Sequence, residues 1–148
     1  ISIMIFNSEI ESEFLELTKN QDAWKFVKVF GERSHILDDL MDDPEKVTDE
    51  TLIEKEVEWM ITLSTNPFYL ANAQSLMPAI VSGANAWLDS NKWSQSNSKV
   101  KRCHSDVVKS IYHEVVFLSV YLCGGWEALR EFSLKHREYQ VDNYGPLQ

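Results

Sequence analysis

Residues Cys103–Cys123, CHSDVVKSIYHEVVFLSVYLC, decide the reading of this chain. The run is long and apolar, holds no Gly or Pro, and carries two of the four histidines. Its apolar positions recur at helical spacing, so it is expected to form the central helix of a small helical domain. Gly124-Gly125 stands after it as its C-terminal stop. Lys99, Lys101 and Arg102 stand where the helix begins. Cations there oppose the helix dipole by about 0.3–1 kcal/mol each when exposed. They call for a counter-charge, and Asp38–Glu58 offers one, with ten acidic residues against Lys46 and Lys55. We expect the two patches to pair, within the domain or across subunits. A small anion held between the basic turn and His104 is the alternative.

The second half of the run differs from the first. Val116, Phe117, Val120 and Tyr121 occupy the side that is polar in the first half, so the helix becomes apolar all round. That pattern means full burial in the domain or in a subunit interface. A domain this small rarely buries one helix completely, so these four residues are assigned to an interface and the chain is expected to be a homo-oligomer, most simply a two-fold dimer.

Working outward, four more helices are read on the N-terminal side. Ile1–Phe6 suits a short strand or an apolar arm, so residues 1–7 are set apart. Ser8 with Glu11 forms a capping box that opens a short helix bearing Ile10, Phe14 and Leu17. Asp22 caps a second helix that runs to Met41, with Gly31 on its polar face and Asp42-Asp43-Pro44 as its stop. Thr48, with Asp49 and Glu50 after it, starts a third, whose core face is Leu52, Ile53, Val57, Trp59, Met60 and Leu63. Asn66-Pro67 starts a fourth. Tyr69, Leu76, Ile80, Ala84 and Trp87 align on it, Pro78 is expected to kink or split it, and Ser75, Ala79, Ser82 and Ala86 form a small-residue face that lets another helix approach. Residues 89–98, DSNKWSQSNS, read as a polar loop. Beyond Gly125 a last helix runs from Trp126 to about Tyr139, and 140–148 read as a tail.

The fold class that results is all-α: one domain of about six helices. Composition agrees, since 148 residues can enclose a sizeable core, and only 5 Gly and 4 Pro are too few for many β-turns. The net charge of −9 argues against nucleic acid and anionic membranes as partners and leaves a basic protein or a metal. Twenty residues of helix would hold Cys103 and Cys123 about 30 Å apart, beyond disulfide reach, which fits a reducing, cytoplasmic location. No run of about 18 apolar residues lacks charge. The chain opens on Ile1 rather than Met, as a segment of a longer reading frame would.

Motifs of strong chemistry are missing: there is no phosphate loop, CxxC, HExxH or GxSxG. What remains are polar residues where an apolar stripe would prefer none. Glu56 falls within the stripe of the third helix, His104 projects with Val108, Ile111 and Val115, Glu114 lies at a stripe edge, and His136 comes four residues after Phe132. A buried carboxylate needs a partner or a metal, so these four are the candidate ligands of a divalent ion. The ordinary readings are a stripe-edge Glu in solvent, a helix-flanking His and a satisfied core His. His113 is expected on a solvated face with Asp106. Glu32 and His35 match the spacing of one arm of a di-metal bundle site, but that architecture needs the arm twice.

The function expected is therefore a non-enzymatic, acidic, homo-oligomeric interaction or regulatory domain with no cofactor. Small size and the lack of motifs also suit a phage or mobile-element protein. The alternative is a metal-dependent hydrolase of a nucleotide or phosphoester, using Glu56, His104, Glu114 and His136. The two differ in what the fold must show. An enzyme gathers its titratable side chains in a cleft; an interaction module scatters them and exposes an apolar patch.

Overall fold

The computed structural model describes residues 6–144, so the reading of Ile1–Ile5 as an arm or strand lies outside them. The chain is all-α. Its helices are α1 (Ser8–Thr18), α2 (Gln21–Asp42), α3 (Asp49–Thr65), α4 (Pro67–Ser94), α5 (Lys99–Lys109) and α6 (Glu114–Tyr144). Short 3-10 turns, Pro44–Lys46 and Ser110–His113, join α2 to α3 and α5 to α6.

Side-chain caps set most of the helix starts. Thr48 caps α3 and Asn66 caps α4, as the sequence predicts. Asn66 also closes α3 through its backbone N–H and donates through Nδ2 to the Asp22 carbonyl (2.9 Å), so one buried residue ties α3, α4 and the start of α2. Two caps move from their predicted places. Asn7, not Ser8, caps α1: its Oδ1 accepts from the Ile10 amide while its Nδ2 donates to the Tyr139 hydroxyl. Asn and Ser cap about equally well, and the tie to Tyr139 decides between them. Asn20, not Asp22, caps α2. Lys19 turns left-handed there, at φ 53°, and ends α1 at once.

The core is aromatic and lies around α2. Phe26 and Phe30 meet Trp59, Phe68, Tyr69 and Tyr112, with the Phe30–Tyr112 ring centroids 4.7 Å apart. Toward the other end, Phe14 of α1 meets Trp24 and Phe132, and Phe117 packs on Phe132 and His136. Gly31 is buried, against the expectation of a polar face: the Phe6 ring lies where its Cβ would be, within 1.9 Å. Phe6 also stands edge-on to Trp24.

α4 is longer than predicted. It passes through Pro78 without interruption and continues to Ser94, so six residues of the expected 89–98 loop are helical. Pro78 lies on the exposed side of α4, where the carbonyl it leaves without a donor can meet water. A four-residue loop then reverses the chain. α5, the 3-10 turn and the start of α6 return antiparallel along α4. The two segments approach closely at Gly83, where a Cβ would sit 2.9 Å from the Tyr112 Cα.

The central run is thus not one regular helix. It tightens at Ser110–His113, where the Ser110 hydroxyl donates to the Val107 carbonyl (2.6 Å). The tightening rotates the start of α6 relative to α5. Val116 and Val120 are fully buried and Phe117 nearly so, all within this one chain, and Tyr121 alone of the predicted interface four is exposed. Gly125 then breaks α6, with φ 76° and ψ −166°, a region open essentially to Gly alone. The helix resumes and extends to Tyr144, further than expected. By length and composition the run Lys99–Asp142 could cross a membrane, with a best mean hydropathy of 1.3, but Val115, Val116, Phe117 and Val120 within it pack into the aromatic core.

Candidate functional site

The four candidate ligands are each held by a different local partner. Glu56 on α3 pairs with Arg33 of α2 (2.7 Å), and the guanidinium also covers the Trp59 ring at 5.4 Å. Glu114 pairs with Arg137 across the Gly125 break (2.6 Å). His104 is exposed on α5, its Nδ1 2.8 Å from the Val100 carbonyl. His136 is buried, stacked on Phe132 at 5.4 Å. Among the described residues no group of three His, Cys, Asp or Glu side chains could hold a metal ion. Of the Glu32–His35 arm, Glu32 pairs with Lys55 instead.

The basic and acidic patches are not joined within the described residues. Lys99, Lys101 and Arg102 are exposed, and among the described residues none of them makes an ion pair. Arg102 instead donates to the Ser96 carbonyl (2.6 Å) and closes the loop before α5. The acidic segment is tied from elsewhere by Arg33 to Glu56 and by Lys109 to Asp38 at 2.7 Å, and from within by Lys55 to Glu58. Lys109 also lies over Trp87 at 5.5 Å. The cation of α5 that meets the acidic segment thus sits at the end of the helix opposite to the expected one.

Two buried histidines form the most perturbed titratable pair. His113, expected in solvent, is 8% exposed because the 3-10 turn rotates it inward. Burial first, then the charges of His136, Lys109, Arg137 and His35, push its imidazole down to about 3. Burial, then Arg137, lowers His136 to about 4. The Gln140 side-chain amide lies 3.3 Å from His136 Nε2. His136 Nδ1 is buried without a hydrogen-bond partner. Burial keeps both rings neutral near pH 7, and His136 lies between Phe117 and Phe132.

A groove of about 430 Å3 runs between α4 and α6. Ala79 lines it from α4, Leu118 and Tyr121 from α6, and Trp126 and Leu129 from beyond Gly125. Glu114, already paired with Arg137, is the one charged group among the described residues of its lining. The rest of its described lining is mostly apolar and aromatic.

The largest departure from an ordinary surface is on α3 and α4. On α3 only Trp59 is buried, and Ile53, Val57, Met60 and Ile61 are 61, 42, 59 and 55% exposed. Of the six residues read as its core face, Ile53, Val57 and Met60 are exposed, whereas Trp59 is buried and Leu63 packs against the core. On α4, Leu70, Met77, Val81 and Leu88 are exposed as well. From Pro67 to Leu88 this helix carries no charged residue on either side.

No protein family, no curated protein and no solved structure matches this chain.

Proposed function

We propose that the chain is a non-enzymatic interaction module of the cytoplasm: an acidic helical domain that works by binding protein, in the first place a second copy of itself. The observation that carries this reading is the outer face of α4, uncharged for 22 residues and studded with exposed Leu, Met and Val. Contiguous apolar surface on this scale marks protein–protein contact. A second exposed apolar stripe, Ile53, Val57, Met60 and Ile61, stands on α3, the helix before α4.

Hydrolysis by a bound metal would need Glu56, His104, Glu114 and His136 gathered around one point. Glu56 and Glu114 are instead each engaged by an arginine, His104 is exposed on α5 beside the Val100 carbonyl, and His136 is stacked on Phe132 in the core. Elemental analysis of untagged protein is expected to find no stoichiometric Zn, Mn or Fe.

Sedimentation equilibrium tests self-association directly. A mass of twice the 17.2 kDa chain, falling to the single-chain value on dilution, is the expected result. A single-chain mass at every concentration would overturn the self-association.

A further inference from the structure

The outer side of α4 carries a regular seam. Leu70, Gln74, Met77, Val81, Ala84 and Leu88 are all exposed. Their spacings alternate four and three, the repeat of a helix that packs along another helix. Leu70, Val81 and Leu88 are 55, 61 and 58% exposed, so the seam has no cover among the described residues. Ala71, Ser75, Pro78 and Ser82 flank it, short and uncharged, and none of them would hold a neighbour away. A seam without charge offers nothing to a basic or acidic partner. It fits an apolar helix of matching length.

The order of side chains identifies that helix. Laid against a reversed copy of itself, the seam sets Leu70 opposite Leu88, Gln74 opposite Ala84, and Met77 opposite Val81. Large meets large at both ends and medium meets medium at the centre. The one polar side chain meets the smallest, which leaves room for its amide to turn to water. Each pair also joins the two alternating seam positions, one from each helix. Laid parallel, the same seam would press Gln74 on Gln74 and leave a gap between two Ala84 side chains, a poorer core on both counts.

We infer that α4 packs antiparallel along α4 of a second copy, about a two-fold axis beside Met77 and Val81. This rests on the self-association proposed above and adds the helix, its direction and its register. The area is of the right order. Half of a helical cylinder about 33 Å long and 11 Å across presents roughly 570 Å2, against about 600 Å2 that a specific interface takes from each partner.

The test is directional cross-linking in a Cys103→Ser, Cys123→Ser background, which removes both free thiols. One protein carries Leu70→Cys and another Leu88→Cys. Mixed and oxidised, they are expected to form the mixed disulfide at least about tenfold faster than either forms its own, since a disulfide needs Cα atoms within about 7 Å. Self-links of each protein alone would mean a parallel pair, and a dimer that links in neither way would mean a different surface. Either result overturns the register and leaves the self-association standing. A single-chain mass for the unsubstituted protein removes both. A Val81→Glu variant with unchanged helicity is expected to weaken the dimer at least about tenfold. Val81→Ser serves the same end should the glutamate variant fold poorly, and an undiminished dimer in both would overturn the seam.

Discussion

Two exposed helix faces in this protein look nothing alike. α1 shows Glu9, Glu11, Ser12 and Glu16 to solvent, and behind them buries Ile10 and Phe14. That is the surface of a helix with water on one side and a core on the other. α4 buries Phe68, Tyr69, Leu76 and Trp87 on its inner face, then shows Leu70, Met77, Val81 and Leu88 on its outer one. An apolar stripe in a sequence therefore does not by itself say that the face is covered. The two faces of α4 should respond differently to substitution, and that difference can be measured.

Leu76 gives the largest contrast. It is fully buried on the inner face, one residue before exposed Met77. Leu76→Ala removes packed methyl groups and leaves a cavity, at a cost of about 3 kcal/mol. Urea unfolding is expected to show that loss, whereas Met77→Ala is expected to stay within about 0.5 kcal/mol in dilute protein. Equal losses at both positions would erase the distinction between the faces. Gly83 and Ser82 repeat the contrast at smaller scale. A Cβ at Gly83 meets the Tyr112 Cα, which is backbone and cannot swing aside, so Gly83→Ala is expected to cost about 1–3 kcal/mol. Ser82→Ala, in the open, is expected to be neutral within about 0.5 kcal/mol.

Acid separates fold from association. His113 and His136 titrate near 6.5 in an unfolded chain, but only at about 3 and about 4 in the folded one. Above pH 6.5 both are neutral in both states and the fold keeps its full stability. As pH falls below 6.5 the unfolded chain binds the protons first, so stability falls by about 1.4 kcal/mol per histidine for each pH unit, until the folded rings protonate near 4 and 3. Urea midpoints between pH 7.5 and 5 are expected to drop accordingly, and His136→Gln is expected to remove about half of the slope. The seam on α4 has no titratable side chain. The dimer mass of still-folded protein is therefore expected to hold steady over the part of that range where the fold persists.

The all-α architecture was legible because it rests on local signals. Helical periodicity, the Thr48 and Asn66-Pro67 starts and the Gly124-Gly125 break all act within a few residues. The features that were not legible depend on distant contacts. Gly31 sits on its helix where periodicity puts a polar face, and the Phe6 ring, from before α1, lies against it. His113 and Val116 change sides because the 3-10 turn at Ser110–His113 shifts the phase of the helix beyond it. Asn7 displaces Ser8 through a bond to Tyr139, 132 residues away. Ile53, Val57 and Met60 fit a core stripe because period alone cannot tell a core from a partner. For the candidate site, the useful signal was an absence, 22 residues of helix without a charge, rather than any motif.

The smallest effect on the fold is the most telling one for function. Glu16 of α1 and Val81 of α4 are both exposed positions on helices whose other faces are packed. Replacing either by Lys removes no buried contact within the chain, so each is expected to change unfolding free energy by no more than about 0.5 kcal/mol in protein dilute enough to be monomeric. At higher concentration the two should part. Glu16→Lys leaves a charged face charged, and its mass and its concentration-dependent melting should match the unsubstituted protein. Val81→Lys places two ammonium groups beside the proposed two-fold axis, one from each copy, where they would be desolvated with no acid near them on the uncharged helix. That variant should stay at the single-chain mass and lose the rise of melting temperature with concentration that a dimer shows. Light scattering and melting on the two variants side by side read this directly. If both dimerise alike, the bare face of α4 is only a face.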